Sequence, residues 1–399
     1  MTLAIPATAP RRELATISAV SAGHFVSHIL QLALAPLFIA MRDDLGVSFT
    51  ELGVLLSIFY LFSGGGQVVA GIMVDRFGAD RLLLGGILLQ SASMAAMGLA
   101  PTYATMLPFA ALAGLGNSVY HPADLSILSH RIRTERLGRA FALHVVAGNL
   151  GYAASPLASG ALALMYGWRT ALVVMGVSCL MVGFALMMAR PLLRIERHQE
   201  HAHQEAAGAP SFADIIASRV VLLAFFYFFL TAICLVGLQS FGITALQEGF
   251  GMGTAFAALT LTFYQGANVC GVMLGGYIAD RASHHHRIAM AGLAVAAVAL
   301  FVIGLVQIPP LATLVLMVVI GFSLGMTTPS RDVLVRHAAP ANARGKVFGF
   351  VYSGFDIGAL AGPLMYGIML DNHMTHAVFL GAAAPLLVGI VTVIGVRKK

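Results

Sequence analysis

The stretch "GIMVDRFGADR", residues 71–81, ends a long apolar run with an aspartate and an arginine and then opens a short basic loop. An apolar helix that stops at Asp75-Arg76 and continues through Gly78 to Arg81 reads as a span leaving lipid for water. Roughly 20 apolar residues suffice to cross a bilayer, and the run before Asp75 is long enough. The pattern returns at residues 276–287 as "GYIADRASHHHR", where Asp280-Arg281 closes another apolar run. The whole chain fits this setting. Its 399 residues are 59% hydrophobic and only 10% charged, whereas soluble domains carry about 25% charge. No soluble globule has interior enough for that much apolar surface, so the solvent is lipid and the expected fold is all-α.

Outward from those two loops, the hydropathy predicts spans near 15–41, 50–74, 82–100, 104–129, 139–165 and 169–189, then near 217–246, 253–279, 288–307, 311–335, 345–370 and 376–396. Twelve transmembrane helices then fall into two six-helix bundles, residues 1–189 and 217–399. A polar cytoplasmic linker, residues 190–216, joins them. The histidines and glutamates of that linker read as a solvated loop. The N-terminus lacks a short apolar stretch followed by a cleavage site, so no cleavable leader is expected.

Orientation follows from Lys and Arg, which concentrate on the cytoplasmic side of short loops. With both termini on one side, that side collects nearly all of them, from Arg11 and Arg12 to Lys398 and Lys399. The other side holds only Arg42 and Arg169, and Arg331 falls inside a span. Both termini are therefore expected in the cytoplasm, in a plasma membrane (the inner membrane in a bacterium). The formal net charge of +6 sits in these loops and implies no nucleic-acid partner. Cys179, Cys234 and Cys270 each lie in apolar runs and read as packing residues.

The halves repeat. Pro122, Gly138, Gly151, Pro156 and Gly160 are matched by Pro329, Gly345, Gly358, Pro363 and Gly367 at one offset of 207 residues. Duplicated bundles are a transporter architecture, with the site near the bilayer midplane. The loop pattern G-x-x-x-D-R-x-G-x-x-R after the second span, its partner after the eighth, and twelve spans split six and six resemble the major facilitator superfamily. The second copy keeps Gly276, Asp280 and Arg281 but carries Ser283 where the first has Gly78. "HFVSHILQLALAPL" (24–37), "GLGNSVYHP" (114–122) and "AGNLGYAASPL" (147–157) further resemble the fosmidomycin-resistance subgroup, with His28 and Asp124 as departures from its pattern. The resemblance implies alternating access by two bundles, with the first, fourth, seventh and tenth helices lining a central cavity.

An ionisable group in mid-bilayer costs about 2.5–3.5 kcal/mol on insertion scales, so it normally faces a cavity or a partner. His24, His28 and Gln31 recur at steps of four and three and share one face of the first helix, as do Asn117, His121 and Asp124 on the fourth. Gln239 lies on the seventh helix, Arg331 and Asp332 on the tenth, and Asp356 on the eleventh in the slot matching Asn149. The candidate substrate-binding residues are His24, His28, Gln31, Asn117, His121, Gln239 and Arg331. The candidate proton-coupling residues are His24, His121, Asp124 and Asp356, because imidazole, with a reference pKa of about 6.5, exchanges protons across the physiological range. Pro122 removes a backbone donor and predicts a bend beside His121. Arg331 reads either as an anion anchor or as a gate residue paired with a nearby acid such as Asp332. Asp75, Arg76, Arg81, Asp280 and Arg281 are the candidate gating residues, since a carboxylate at a helix end docks favourably on a helix N-terminus.

The function expected is a proton-coupled secondary transporter of a small organic solute. Export by antiport comes first, and uptake of an organic anion such as a monocarboxylate by proton symport second. A membrane receptor or membrane-embedded enzyme is a further alternative, and no catalytic residue is assigned. The chain holds no G-x-x-x-x-G-K-[ST] motif of an ATP-driven pump, so the proton gradient is the expected energy source, with no cofactor and no metal. The expected partners are the solute, protons and the lipid bilayer, and the expected state is a monomer.

Overall fold

The computed structural model describes residues 8–195, 217–338 and 344–396. The expected 190–216 linker therefore lies largely outside the described residues. Thirteen α-helices appear there in chain order. They are α1 (Thr8–Gln31), α2 (Phe38–Leu45), α3 (Phe49–Phe77), α4 (Ala79–Leu99), α5 (Tyr103–Asn117), α6 (Tyr120–Arg131), α7 (Thr134–Met188), α8 (Arg219–Phe250), α9 (Thr254–Ala279), α10 (His285–Leu305), α11 (Pro310–Ala338), α12 (Arg344–Asp371) and α13 (Thr375–Val396). Helices dominate because lipid offers the backbone no hydrogen-bond partner, so each spanning segment must satisfy its own N–H and C=O groups.

Ten stretches are long and apolar enough to cross a membrane. One of them, α7, turns at Gly167 (φ 81°, ψ 160°), so that residues 134–166 and 168–188 form two spans. Such a φ favours glycine because a Cβ is crowded there. α5 and α6 together supply one more span. The total among the described residues is the twelve that the hydropathy predicts.

Two spans are interrupted, the first without a sequence expectation and the fourth beside Pro122, where a bend is expected. The first ends at Gln31, passes through a 3-10 turn at Ala35–Leu37 that contains Pro36, and resumes as α2. The fourth breaks at Ser118–Val119, between α5 and α6. Pro122 then sits in the first turn of α6, where the missing N–H would have had no intrahelical partner.

The chain divides into two compact units, the described residues of Met1–Leu34 with Ile58–Gln199, and of Ala35–Ser57 with Glu200–Lys399. In the first unit α1 packs on α7, and α4 packs on α5 and α7. In the second, α8 packs on α12 and α13, α9 on α11, and α10 on α11 and α13. Residues 35–57 are built into the second unit by specific contacts. The Phe38 and Phe241 rings lie 4.9 Å apart, and Arg42 Nη1 is 3.1 Å from Glu248 Oε1. The backbone N–H groups of Phe49 and Thr50 each donate to the Asp371 carboxylate at 2.8 Å. Asp371 thus satisfies orphan donors at the α3 N-terminus, where the helix dipole also favours an anion.

Candidate functional site

Inside the first unit, three imidazoles gather around His24, and two of the four histidines approach one carboxylate. His24 Nδ1 lies 3.4 Å from Asp124 Oδ2, and His144 Nε2 lies 3.7 Å from the same oxygen. The His24 ring centroid is 3.8 Å from that of His144, 4.3 Å from His28 and 5.4 Å from His121. His24, Asp124 and His144 are 4%, 0% and 3% exposed, in a bundle built almost wholly of apolar side chains. His121 is exposed and borders the accessible side of the group. The residues come from α1, α6 and α7, so the packing of α1 on α7 and the break before α6 assemble the cluster.

Small residues make room for it. A Cβ on Gly148 would run into the His24 ring and Nδ1 of His28, and one on Gly151 would meet the Phe25 carbonyl oxygen. The glycines of "AGNLG" therefore let α7 lie close against α1 and leave space for two imidazoles, a use of small residues common between membrane helices. The rim is polar as well. The His28 ring stacks on Tyr152 at 4.0 Å, and the Tyr152 hydroxyl donates to Gln31 Oε1 at 2.7 Å.

Asn117, a candidate substrate contact, makes two hydrogen bonds within the bundle. Its Nδ2 donates to Ser27 Oγ at 2.7 Å, and its Oδ1 accepts from Ser63 Oγ at 2.8 Å. Both polar ends are engaged, and the side chain ties α5 to α1 and α3.

The remaining candidates lie in the second unit. Gln239, on α8, donates from Nε2 to Gln265 Oε1 of α9 at 3.4 Å, with both residues buried. Arg331 Nε donates to Asp332 Oδ1 at 3.0 Å, and its guanidinium sits 4.2 Å above the Phe228 ring. Tyr352 Oη donates to Asp332 Oδ1 at 3.2 Å. Of the two sequence readings of Arg331, the pair with Asp332 is the contact present. Asp356 is half-buried on α12.

Among the gating candidates, the Asp75 side chain lies outside the described residues. Arg76 is exposed and its guanidinium lies 5.4 Å from the Phe77 ring. Arg81 and Asp280 are exposed. Arg281 stacks on Tyr277 at 3.7 Å and donates to its carbonyl oxygen. In the same first turn of α4 as Arg81, Asp80 is 5% exposed and accepts from Arg190 Nε at 2.7 Å. Glu13 accepts from Arg133 at 2.8 Å and from Arg136 at 3.1 Å.

His144 and Asp371 escaped the sequence reading. His144 carried the same signal as His24, an imidazole within an apolar run. Asp371 carried little signal, because its partner N–H groups lie more than 300 residues away in sequence.

Two overlapping stretches, residues 20–347 and 285–399, match the Major Facilitator Superfamily model. The chain belongs to the major facilitator superfamily. This superfamily member is a multi-pass membrane transporter of small solutes and not an enzyme. It is 25% identical over 404 residues to the "Fosmidomycin resistance protein" of Escherichia coli (strain K12), covering 97% of this chain and 94% of that one. It is 25% identical over 337 residues to the "Multidrug resistance protein MdtH" of Salmonella paratyphi B, covering 82% of this chain and 80% of the relative. Its fold matches the crystal structure of a bacterial homolog to the human lysosomal transporter Spinster, in an inward-facing and unoccupied conformation. The TM-score is 0.75 at 14% identity, over 98% of this chain and 96% of that one.

Proposed function

We propose that this superfamily member is a proton-driven exporter of a small organic solute, working by antiport and alternating access. The observation that carries the reading is the constellation in which His24, His144 and Asp124 are buried within an apolar bundle, with His28 half-buried and His121 exposed at its edge. Titratable groups at that depth are costly unless they have work to do. Imidazole and carboxylate in contact pass a proton between them without breaking up the cluster. In this reading His24, His121 and Asp124 carry the coupled proton, with Asp356 as a second protonatable site. His28, Gln31 and Gln239 contact solute. The two loops with Asp75, Arg76, Arg81, Asp280 and Arg281 act as gates.

Export is favoured over uptake on two grounds. The relatives are named for resistance to fosmidomycin and to multiple drugs. Symport of an organic anion would use Arg331 as its anchor, and that guanidinium is already engaged by Asp332 and Phe228. The same reading places both termini in the cytoplasm, the chain in the inner membrane of a bacterial cell, and the working unit as a monomer.

The test is a screen of solutes, fosmidomycin first, for thermal stabilisation of the purified protein, followed by a pH jump on proteoliposomes loaded with the stabilising solute. Antiport predicts that an inward proton gradient accelerates solute exit. Solute and proton moving in the same direction would replace antiport with symport.

A further inference from the structure

The triad His24, Asp124 and His144 also has the composition and spacing of a transition-metal site. The three ligand atoms, His24 Nδ1, Asp124 Oδ2 and His144 Nε2, lie within 4.8 Å of one another, and all three residues are buried. Two edges of the triangle, 3.4 and 3.7 Å, are long for hydrogen bonds. Ligand atoms 2.0–2.1 Å from a zinc ion in tetrahedral array lie about 3.4 Å apart. Two further buried atoms, Asp124 Oδ1 and His144 Nδ1, have no hydrogen-bond partner in the protein, an unusual state for polar atoms at this depth. A second coordinating oxygen employs the first of these.

We propose that His24, Asp124 and His144 bind a first-row divalent transition ion, with zinc(II) the best fit. Two imidazoles and a carboxylate form a borderline donor set suited to zinc, nickel or copper. Calcium takes six to eight oxygens, and magnesium a near-octahedral oxygen shell, so this triad selects against both. A fourth position is left for water or a solute atom. His121, exposed and 5.4 Å ring to ring from His24, borders the accessible side through which an ion enters. Along the chain the ligands stand at positions 24, 124 and 144, so no sequence spacing advertises the site. Ion and proton compete for the same His24 and Asp124 atoms, so the two readings are tested separately: a protein that binds no metal leaves the antiport reading intact, and an uncoupled carrier leaves the metal site intact.

The experiment uses full-length protein purified in detergent without a polyhistidine tag. Cobalt(II) replaces zinc as the optical probe, since four-coordinate cobalt absorbs strongly in the visible and octahedral cobalt does not. The expected result is one cobalt per chain with four-coordinate bands, displaced by zinc. Zinc-edge X-ray absorption should then show a nitrogen and oxygen shell at about 2.0–2.1 Å with imidazole scattering. His144→Gln and Asp124→Asn should each weaken binding by more than about 100-fold, beyond the loss typical of outer-shell changes. Replacing the linker and loop histidines, His198, His201, His203, His284, His285 and His286, with Asn should leave the bands unchanged. Absence of four-coordinate bands in the wild-type protein overturns the proposal whatever the variants do. So does their survival in both triad variants, or their loss in the loop-histidine variant.

Discussion

Asp124 and Arg331 stand at matched positions of the two repeats, at the same offset of 207 that relates Pro122 to Pro329, and the two halves use that position in opposite ways. In the first, the helix breaks just before Pro122 and the acid is buried among imidazoles from α1 and α7. In the second, α11 runs on through Pro329, and the arginine lies over Phe228 and pairs with the neighbouring Asp332. The residue facing the cluster differs in the same sense. Gly148 makes room for His24 and His28, and its counterpart is Phe355. Duplication preserved the helix scaffold and its proline and glycine marks, while the buried histidine–carboxylate cluster was built in one half. In the proposed reading, the half with the buried acid carries the main proton site. The half with the arginine has a cation that is already neutralised locally.

The sharpest way to break the contrast is to exchange the matched residues. Asp124→Arg places a guanidinium among four imidazoles with no acid left. An uncompensated buried charge costs about 3–5 kcal/mol, enough to prevent recovery of a monodisperse protein by size-exclusion chromatography. Gly148→Phe, which installs the counterpart residue, forces α7 from α1. Overpacking of this kind costs about 1–3 kcal/mol and more where backbone is met, and thermal unfolding in detergent should show a clear fall in Tm. Asn117→Ala leaves Ser27 and Ser63 without their shared partner, a loss of about 1–3 kcal/mol read by the same melting experiment. Arg331→Ala should cost least, about 0.5–2 kcal/mol for the lost cation–π contact, since Asp332 keeps Tyr352 as a donor. A melting loss for Arg331→Ala larger than that for Gly148→Phe would invert the comparison.

Much of the architecture was legible in the chain because lipid imposes a simple rule. A run long enough to cross must be helical and apolar, so twelve spans and the repeat could be read from hydropathy, proline and glycine. The turn at Gly167 fell between predicted spans for the same reason. The bend at Pro122 was read from its proline, but the break at Pro36 was not, since a proline either bends a helix or opens its first turn depending on what packs nearby. The site was half legible. His24, His28, His121 and Asp124 announced themselves as ionisable groups in apolar runs, and helical spacing put them on shared faces. That they meet His144, and that Asn117 is consumed in tying α5 to α1 and α3, depends on how three helices rotate about their axes. That rotation is set by tertiary packing around Gly148 and Gly151, which no local pattern encodes.

Proton movement driven by solute tests the central reading most directly. Proteoliposomes holding a pH-sensitive dye and a stabilising solute are diluted to create an outward solute gradient, with wild-type, Asp124→Asn and Arg331→Lys proteins compared. The account predicts lumenal acidification as solute leaves through the wild-type and Arg331→Lys proteins, and solute exit without acidification through Asp124→Asn. Acidification at the wild-type rate with Asp124→Asn would contradict it.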